Sequence, residues 1–336
     1  LELAKLNLVA GKKAKNSAAF SLDLKYFQTG FNLLTKNSWL ENYELTFSLS
    51  IELAECTYLN ANFAEAEILF DETLRNSKSL IEKARVYETK IILYTAMNKM
   101  KEAISISREA LKLFKINIPK NNLAIKTATF IELMKANNSL KKIKIENLIN
   151  LPQMSDQNKL CIMNTIMSTL PPAYFSNTDL MMLLILKMVN YSLKYGNSNV
   201  SSYAYSTYSL VLSFILNRYN DGYELTKVAL ELNEKFKNKK LKAKLNFIYA
   251  AMSSHWVHHV KEGLTLLSGN YKDGIEAGDL QYIGYSINHI LIKKFVGGDS
   301  LDDIYKTSCE YYDFMIRTKD KNLLDAFIPR IQFILN

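Results

Sequence analysis

The chain has 336 residues, of which 48% are hydrophobic and 22% charged, with 42 Lys and Arg against 33 Asp and Glu for a formal net charge of +9. That balance excludes a disordered polymer and describes a chain long enough to bury a core. The positive charge permits an acidic partner without requiring one, and with only 11 Gly and 5 Pro the turn-rich architectures built from sheet are disfavoured.

The first predicted helices carry small and large residues at fixed offsets. Ala54, Thr57, Ala61, Phe63, Ala66, Phe70 and Thr73 occupy the places that tetratricopeptide repeats reserve for small and large side chains. Phe20, Asp23, Phe27 and Gly30 fall over Phe63, Ala66, Phe70 and Thr73 at a period of 43, with Asp23 where a small residue is expected. From Val86 to Phe114, Tyr87, Ile91, Tyr94 and Met97 form one apolar face, and Ala103, Ile106, Ala110 and Leu113 form the next. Only Asn98 and Lys99 separate the two faces, so the helices must fold back on each other. Alignment of Ala66 with Ala103 gives a period of 37.

Between residues 138 and 176 the spacing is least regular, and prolines at 152, 171 and 172 predict helix boundaries. Beyond it, Lys194, Tyr195, Gly196 and Asn197 read as a helix end with Gly196 in the left-handed cap. Leu225, Ala229, Leu232 and Phe236 make another stripe, and later helices meet near Gly263 to Gly278 and at Gly297-Gly298-Asp299. Helical spacing rather than alternation flanks Asp221-Gly222 and Asp273-Gly274, which excludes hairpins there. The expected fold is all-α, an antiparallel helix-pair solenoid of tetratricopeptide-like type with sixteen or seventeen helices. Its expected parts are N-terminal repeats over 1–137, an irregular bend over 138–176 and C-terminal repeats over 177–336, continuous with the first half.

Cys56, Cys161 and Cys309 are odd in number and far apart, so they read as reduced core thiols of a cytoplasmic protein. The longest apolar runs, Leu180 to Leu186 and Leu210 to Leu216, are too short to cross a bilayer. The first residue, Leu1, and the last ones lie inside helical patterns, and the chain is expected to be a piece of a longer protein.

Seven stretches in order carry a resemblance: AGKKAKNSAAF (10 to 20), ENYELTFSLSIELAECTYL (41 to 59), PPAYFSN (171 to 177), LKMVNYSLKYGNS (186 to 198), HWVHH (255 to 259), AGDLQYIGYSINH (277 to 289) and IRTKD (316 to 320). Together they resemble the helical-repeat region that follows the ATPase module in multidomain bacterial and fungal signalling kinases. The resemblance implies a parent chain with a protein-kinase-like domain, a nucleotide-binding ATPase, this helical region, and often a GAF domain and a histidine kinase. It implies a segment that senses a ligand or partner and controls the nucleotide switch, and it brings no functional residue with it.

Read from the residues alone, His255-Trp256-Val257-His258-His259 is the sharpest local feature, since His255 and His259 at a spacing of four share a helix face. A metal would need a third ligand, for which His289 and Asp279 are the candidates; hydrogen bonding or partner contact explains the same residues without a metal. Tyr203, Tyr205, Tyr208, Phe214, Tyr219 and Tyr223 are dense enough to line a groove, although tyrosine at helical spacing also packs as wedge core. Tyr203, Tyr205, Tyr208, His255, Trp256, His259, Tyr282 and His289 are the candidate partner or ligand contacts, with no catalytic residue, no metal site and no cofactor expected. Lys235, Lys237, Lys239, Lys240, Lys242 and Lys244 could contact phosphates, but charge runs are usually solvated faces. No phosphate loop, nucleophile elbow, CxxC pair or dinucleotide fingerprint occurs. The expected function is a non-catalytic interaction or sensing segment that binds a protein partner or small ligand and regulates the adjacent ATPase and kinase domains. A metal-dependent enzyme using the histidines and an RNA-binding array are the alternatives.

Overall fold

The computed structural model describes residues 1–16, 20–318 and 320–335, without the side chains of Asn16, Phe20 and Ser21. Residues 17–19 and 319, within two of the stretches quoted above, lie outside the described residues. The described residues form seventeen α-helices, short 3-10 and π segments, and no strand beyond a single bridge between Gln153 and Asn197. None of these helices is long and apolar enough to cross a membrane. The chain divides into two compact units, residues 1–126 with 155–184 and residues 127–154 with 185–336.

In the first unit, α1 (Glu2–Asn16) packs on α2 (Phe20–Asn32), and after the short α3 (Ser38–Glu41) the pairs are α4 (Tyr43–Leu59) with α5 (Phe63–Asn76) and α6 (Leu80–Ala96) with α7 (Met100–Leu113). Turns of three residues reverse the chain inside the last two pairs. Ala61 and Asn98 take the left-handed conformation there, and the following amides reach back across the turn, Asn62 N to Thr57 O at 3.1 Å and Lys99 N to Tyr94 O at 2.8 Å. The 37-residue period that aligns Ala66 with Ala103 also separates these two turns. The small residues sit where helices approach: Ala54, Ala66, Ala103 and Ala110 have no exposed surface. Around them Phe47, Ile51, Tyr58, Phe70, Val86 and Leu93 form a continuous core, each large side chain contributing about 2 kcal/mol by leaving water. Asp23 lies in the neighbouring helix pair with no exposed surface, and its carboxylate oxygens meet no donor stronger than the Cys56 thiol.

Helix α6 begins at a capping box. Ser79 Oγ accepts from Glu82 N at 3.1 Å while Glu82 Oε2 accepts from Ser79 N at 2.8 Å. Burial alone would raise the Glu82 pKa, but the amides of Ser79 and Lys78 and the Tyr43 hydroxyl hold it below the usual carboxylate range.

Helix α8 (Asn122–Leu140) runs from the first unit into the second, and α9 (Gln157–Ser176) packs on α6 and α7. Pro171 and Pro172, expected to mark a boundary, lie inside α9. Interior proline costs about 3 kcal/mol. The buried face of Ile162, Met163, Ile166, Leu170 and Ala173 holds the helix through them, and Ser176 Oγ donates to the Pro172 carbonyl at 2.6 Å. Irregular backbone within 138–176 is therefore confined to residues 141–156, which include the 3-10 turn Ile145–Asn150.

The second unit continues from the end of α10 (Thr178–Tyr195) through α11 (Ser201–Phe214), α12 (Tyr219–Phe236) and α13 (Lys239–Phe247). Then come α14 (Leu264–Ala277), α15 (Leu280–Val296), α16 (Leu301–Thr318) and α17 (Lys321–Leu335). Gly196 closes α10 in the left-handed region at φ +96°, as its sequence context predicts. Its backbone lies so close to the neighbouring loop that a Cβ would stand 2.2 Å from the Pro152 carbonyl oxygen. Asn197 uses that approach: its amide donates to Pro152 O at 2.8 Å, and its carbonyl accepts from Met154 N at 2.8 Å. Two apolar clusters fill the rest, one around Phe247, Ala250, Leu267 and Ile290 and the other around Ile283, Ile287, Leu291, Ile304, Met315 and Phe327.

Candidate recognition site

After α13 the helix widens into a π segment, Ile248–Ser253, and tightens into a 3-10 turn, Ser254–Trp256, before the chain leaves helical geometry. The change of pitch corrects one expectation. His255 lies within the 3-10 turn and His259 stands outside any helix, so the two do not share a helix face. Gly263 then brings the chain back against the π segment at φ +85°, where a Cβ would meet the Ala250 Cβ at 2.6 Å.

This turn presents Trp256 at the surface, 40% exposed, with Tyr219 stacked on it at 4.7 Å and 22° and Phe214 set edge-on at 5.6 Å. His255 lies 5.0 Å from the Trp256 ring. Phe214, Ile215 and Val257 are also exposed, so three short elements at the ends of α11, α12 and the 3-10 turn contribute to one aromatic surface. Aromatic rings fixed against one another offer contact area at low entropic cost, which suits recognition.

The residues that follow Trp256 join Tyr223 and Tyr249 in a polar cluster. Tyr249 OH donates to Glu262 Oε1 at 2.7 Å, Tyr223 OH reaches the same oxygen at 3.4 Å, and His258 Nδ1 stands 3.3 Å from Glu262 Oε2. Burial and the hydrogen bonds to Tyr223 and Glu262 push the Tyr249 phenol far above its ordinary pKa. The buried Lys293 ammonium donates to the carbonyls of Val260 at 2.7 Å and Glu262 at 3.2 Å, which pins the loop to α15. Burial first, then the Lys293 charge, lowers the His255 pKa. His289 is lowered to about 4 by burial and by the charges of Arg330 and Lys293. At neutral pH Tyr249 is an un-ionised phenol, and His255 and His289 are held towards the neutral imidazole.

The remaining predicted contacts divide by burial. Tyr205 and Tyr208 have no exposed surface, so a partner in a surface groove cannot touch them; their helix face points into the core. Tyr205 OH donates to Asn197 Oδ1 at 2.9 Å, and Tyr208 OH stands 3.5 Å from Asn137 Oδ1, with burial pushing the Tyr208 phenol up to about 12. Tyr203 and Tyr282 are half-buried, hydrogen-bonded to each other, and packed with Phe247 and Tyr285. His289 is half-buried with its ring edge-on to Phe247 at 5.0 Å. His259 is exposed, and its Nδ1 accepts from Lys261 N at 3.3 Å.

Among the described residues no group of three or more His, Cys, Asp or Glu is arranged to hold a metal ion. Asp279, weighed as a third ligand, instead caps α15 by accepting from Tyr282 N at 3.4 Å and pairs with Lys244 at 3.4 Å. Four of the six lysines of the basic run have partners. Lys239, Lys242 and Lys244 face Glu276, Asp273 and Asp279 at 3.5, 3.2 and 3.4 Å, and Lys235 donates to the Ile149 carbonyl. Sequence reading missed Tyr249, Glu262 and Lys293. The spacings of four between His258 and Glu262, and between His289 and Lys293, were the available signals.

No protein-family model matches the chain. Over its whole length it is similar to hybrid signal transduction histidine kinase G of Dictyostelium discoideum, with 25% identity across 367 aligned positions, and it spans about 10% of that relative's length.

Proposed function

We propose that this chain is a non-catalytic helical interaction or sensing segment of a multidomain signalling kinase, built from tetratricopeptide-like helix pairs. It binds a protein partner or small ligand and so regulates neighbouring ATPase and kinase domains. The observation that carries the reading is the exposed Trp256 surface, a set of interlocked rings on a chain similar throughout to one segment of a histidine kinase. The buried alanines and the recurrent left-handed turns support the helix-pair part of it.

Regulation follows from differential affinity. A partner that favours one arrangement of the 254–262 turn shifts the equilibrium of whatever catalytic domain is coupled to it. The test is Trp256→Ala in the full-length polypeptide, read by autophosphorylation. The expected outcome is altered regulation with an unchanged circular-dichroism spectrum. Identical phosphorylation kinetics in the parent and variant would remove the Trp256 surface from the mechanism.

A further inference from the structure

A groove of about 410 Å³ opens between α15 and α17, a size ordinary for small-molecule sites. Leu291 and Ile304 lie at its buried floor, and Phe295 and Phe333 stand edge-on at 5.7 Å along its wall, 49% and 66% exposed. Two polar features interrupt this apolar lining. Arg330 extends into the groove, anchored through Nη1 alone, which donates to Asn288 Oδ1 at 2.6 Å and to the Ala326 carbonyl. Its Nε and Nη2 donate to no group among the described residues, and no carboxylate there pairs with it. Beside it, Pro329 has no N–H, so the Asp325 carbonyl lacks its helical partner on the same side of α17. The Asp325 carboxylate is exposed at the rim and too far from Arg330 to form an ion pair.

We propose that this groove binds an amphipathic small-molecule anion, an apolar chain or ring system ending in one carboxylate or sulfonate. The apolar body replaces water along Leu291, Phe295 and Phe333, and the head group takes the open fork of Arg330. A partly buried guanidinium with unused donors is a strong partner for such a head, because charge-assisted hydrogen bonds gain strength as water is excluded. Burial lowers the Arg330 pKa, in keeping with a cation that no protein anion compensates. This site is separate from the Trp256 surface and stands or falls independently of it.

The probes are decanoate and decanol, equal in chain length and different in charge, titrated calorimetrically into the intact chain. Decanoate is expected to bind at least about tenfold more tightly, the worth of one charge-assisted hydrogen bond. Arg330→Gln is expected to abolish that preference, with a lowered urea midpoint because the buried Asn288 Oδ1 loses its donor. Should that variant fail to fold, Arg330→Lys, which keeps charge but not the planar fork, is expected to give an intermediate preference. Equal affinity of the wild-type chain for the two probes would leave only a non-specific apolar surface, such as one that packs against another polypeptide segment. That result, no binding of decanoate, or a preference that survives in either Arg330 variant undiminished would overturn the proposal.

Discussion

Asp23→Ala is expected to stabilise the protein. Asp23 has no exposed surface, and in the core of the first unit its carboxylate oxygens meet no donor stronger than the Cys56 thiol, a weak one. An unpartnered buried polar group costs about 1–3 kcal/mol. Against its removal stand a small cavity, worth about 0.5 kcal/mol at roughly 24 cal/mol per Å³, and the loss of a carboxylate from the first turn of α2, worth about 0.5 kcal/mol through the helix dipole. The better helix propensity of Ala returns about 0.5 kcal/mol. The net gain is about 0.5–2.5 kcal/mol. Ala is also the residue found at the equivalent offsets, where Ala66 and Ala103 are fully buried. Urea unfolding followed by circular dichroism reads the difference as a higher midpoint at constant slope. Asp23→Asn is the control, since an amide in the same place is as poorly served and should give no gain. The Cys56 thiol supplies an independent readout. Burial chiefly, then the Asp23 charge, pushes its pKa far up, so the Ala variant should titrate lower while remaining above an ordinary thiol. A variant less stable than the parent by about 1 kcal/mol or more would refute the reasoning, because it would mean that the carboxyl group has a stronger partner than the Cys56 thiol.

Gly196→Ala should cost at least about 2 kcal/mol in the same assay, since its φ of +96° is strained for any side chain and the new Cβ meets the Pro152 carbonyl at 2.2 Å. Native-state labelling with a maleimide should modify exposed Cys309 first, with Cys161, raised to about 11 by burial, slower and Cys56 reacting only on unfolding. Acid should weaken the second unit through His289. Its folded pKa, about 4, lies below the unfolded value of about 6.5, so the unfolded chain binds the proton first and stability is lost as pH falls from 6.5 towards 4. The loss is on the order of 2 kcal/mol after discounting for partial exposure, and His289→Gln should flatten the slope of urea midpoint against pH.

Helix class and pair spacing were legible because each depends on local pattern. Ala66 and Ala103 announced both the close approach of helices and the period of the turns at Ala61 and Asn98. The site was legible only in composition. Periodicity shows that Tyr205, Tyr208 and Tyr219 lie on helices, but which face meets a neighbour depends on the packing of α12 and the 145–150 turn, so two of these rings are buried and one is stacked at the surface. His255 and His259 were misplaced because helical geometry ends at Trp256, between them, and no Gly or Pro before Gly263 signals that stop in the sequence. The lysine run looked free because its acidic partners, Asp273, Glu276 and Asp279, come about thirty residues later, beyond any local window. At Pro171 and Pro172 a strong local rule lost to tertiary burial.

The interleaving of the two units bears on synthesis and cleavage. The polypeptide passes from one unit to the other at three points, after residues 126, 154 and 184. A ribosome must therefore release α9 before the first unit has all its helices, while residues 127–154 wait for partners translated later. No single peptide-bond scission separates the two units: a cut after residue 126 or 184 keeps one unit on a single fragment but splits the other between two.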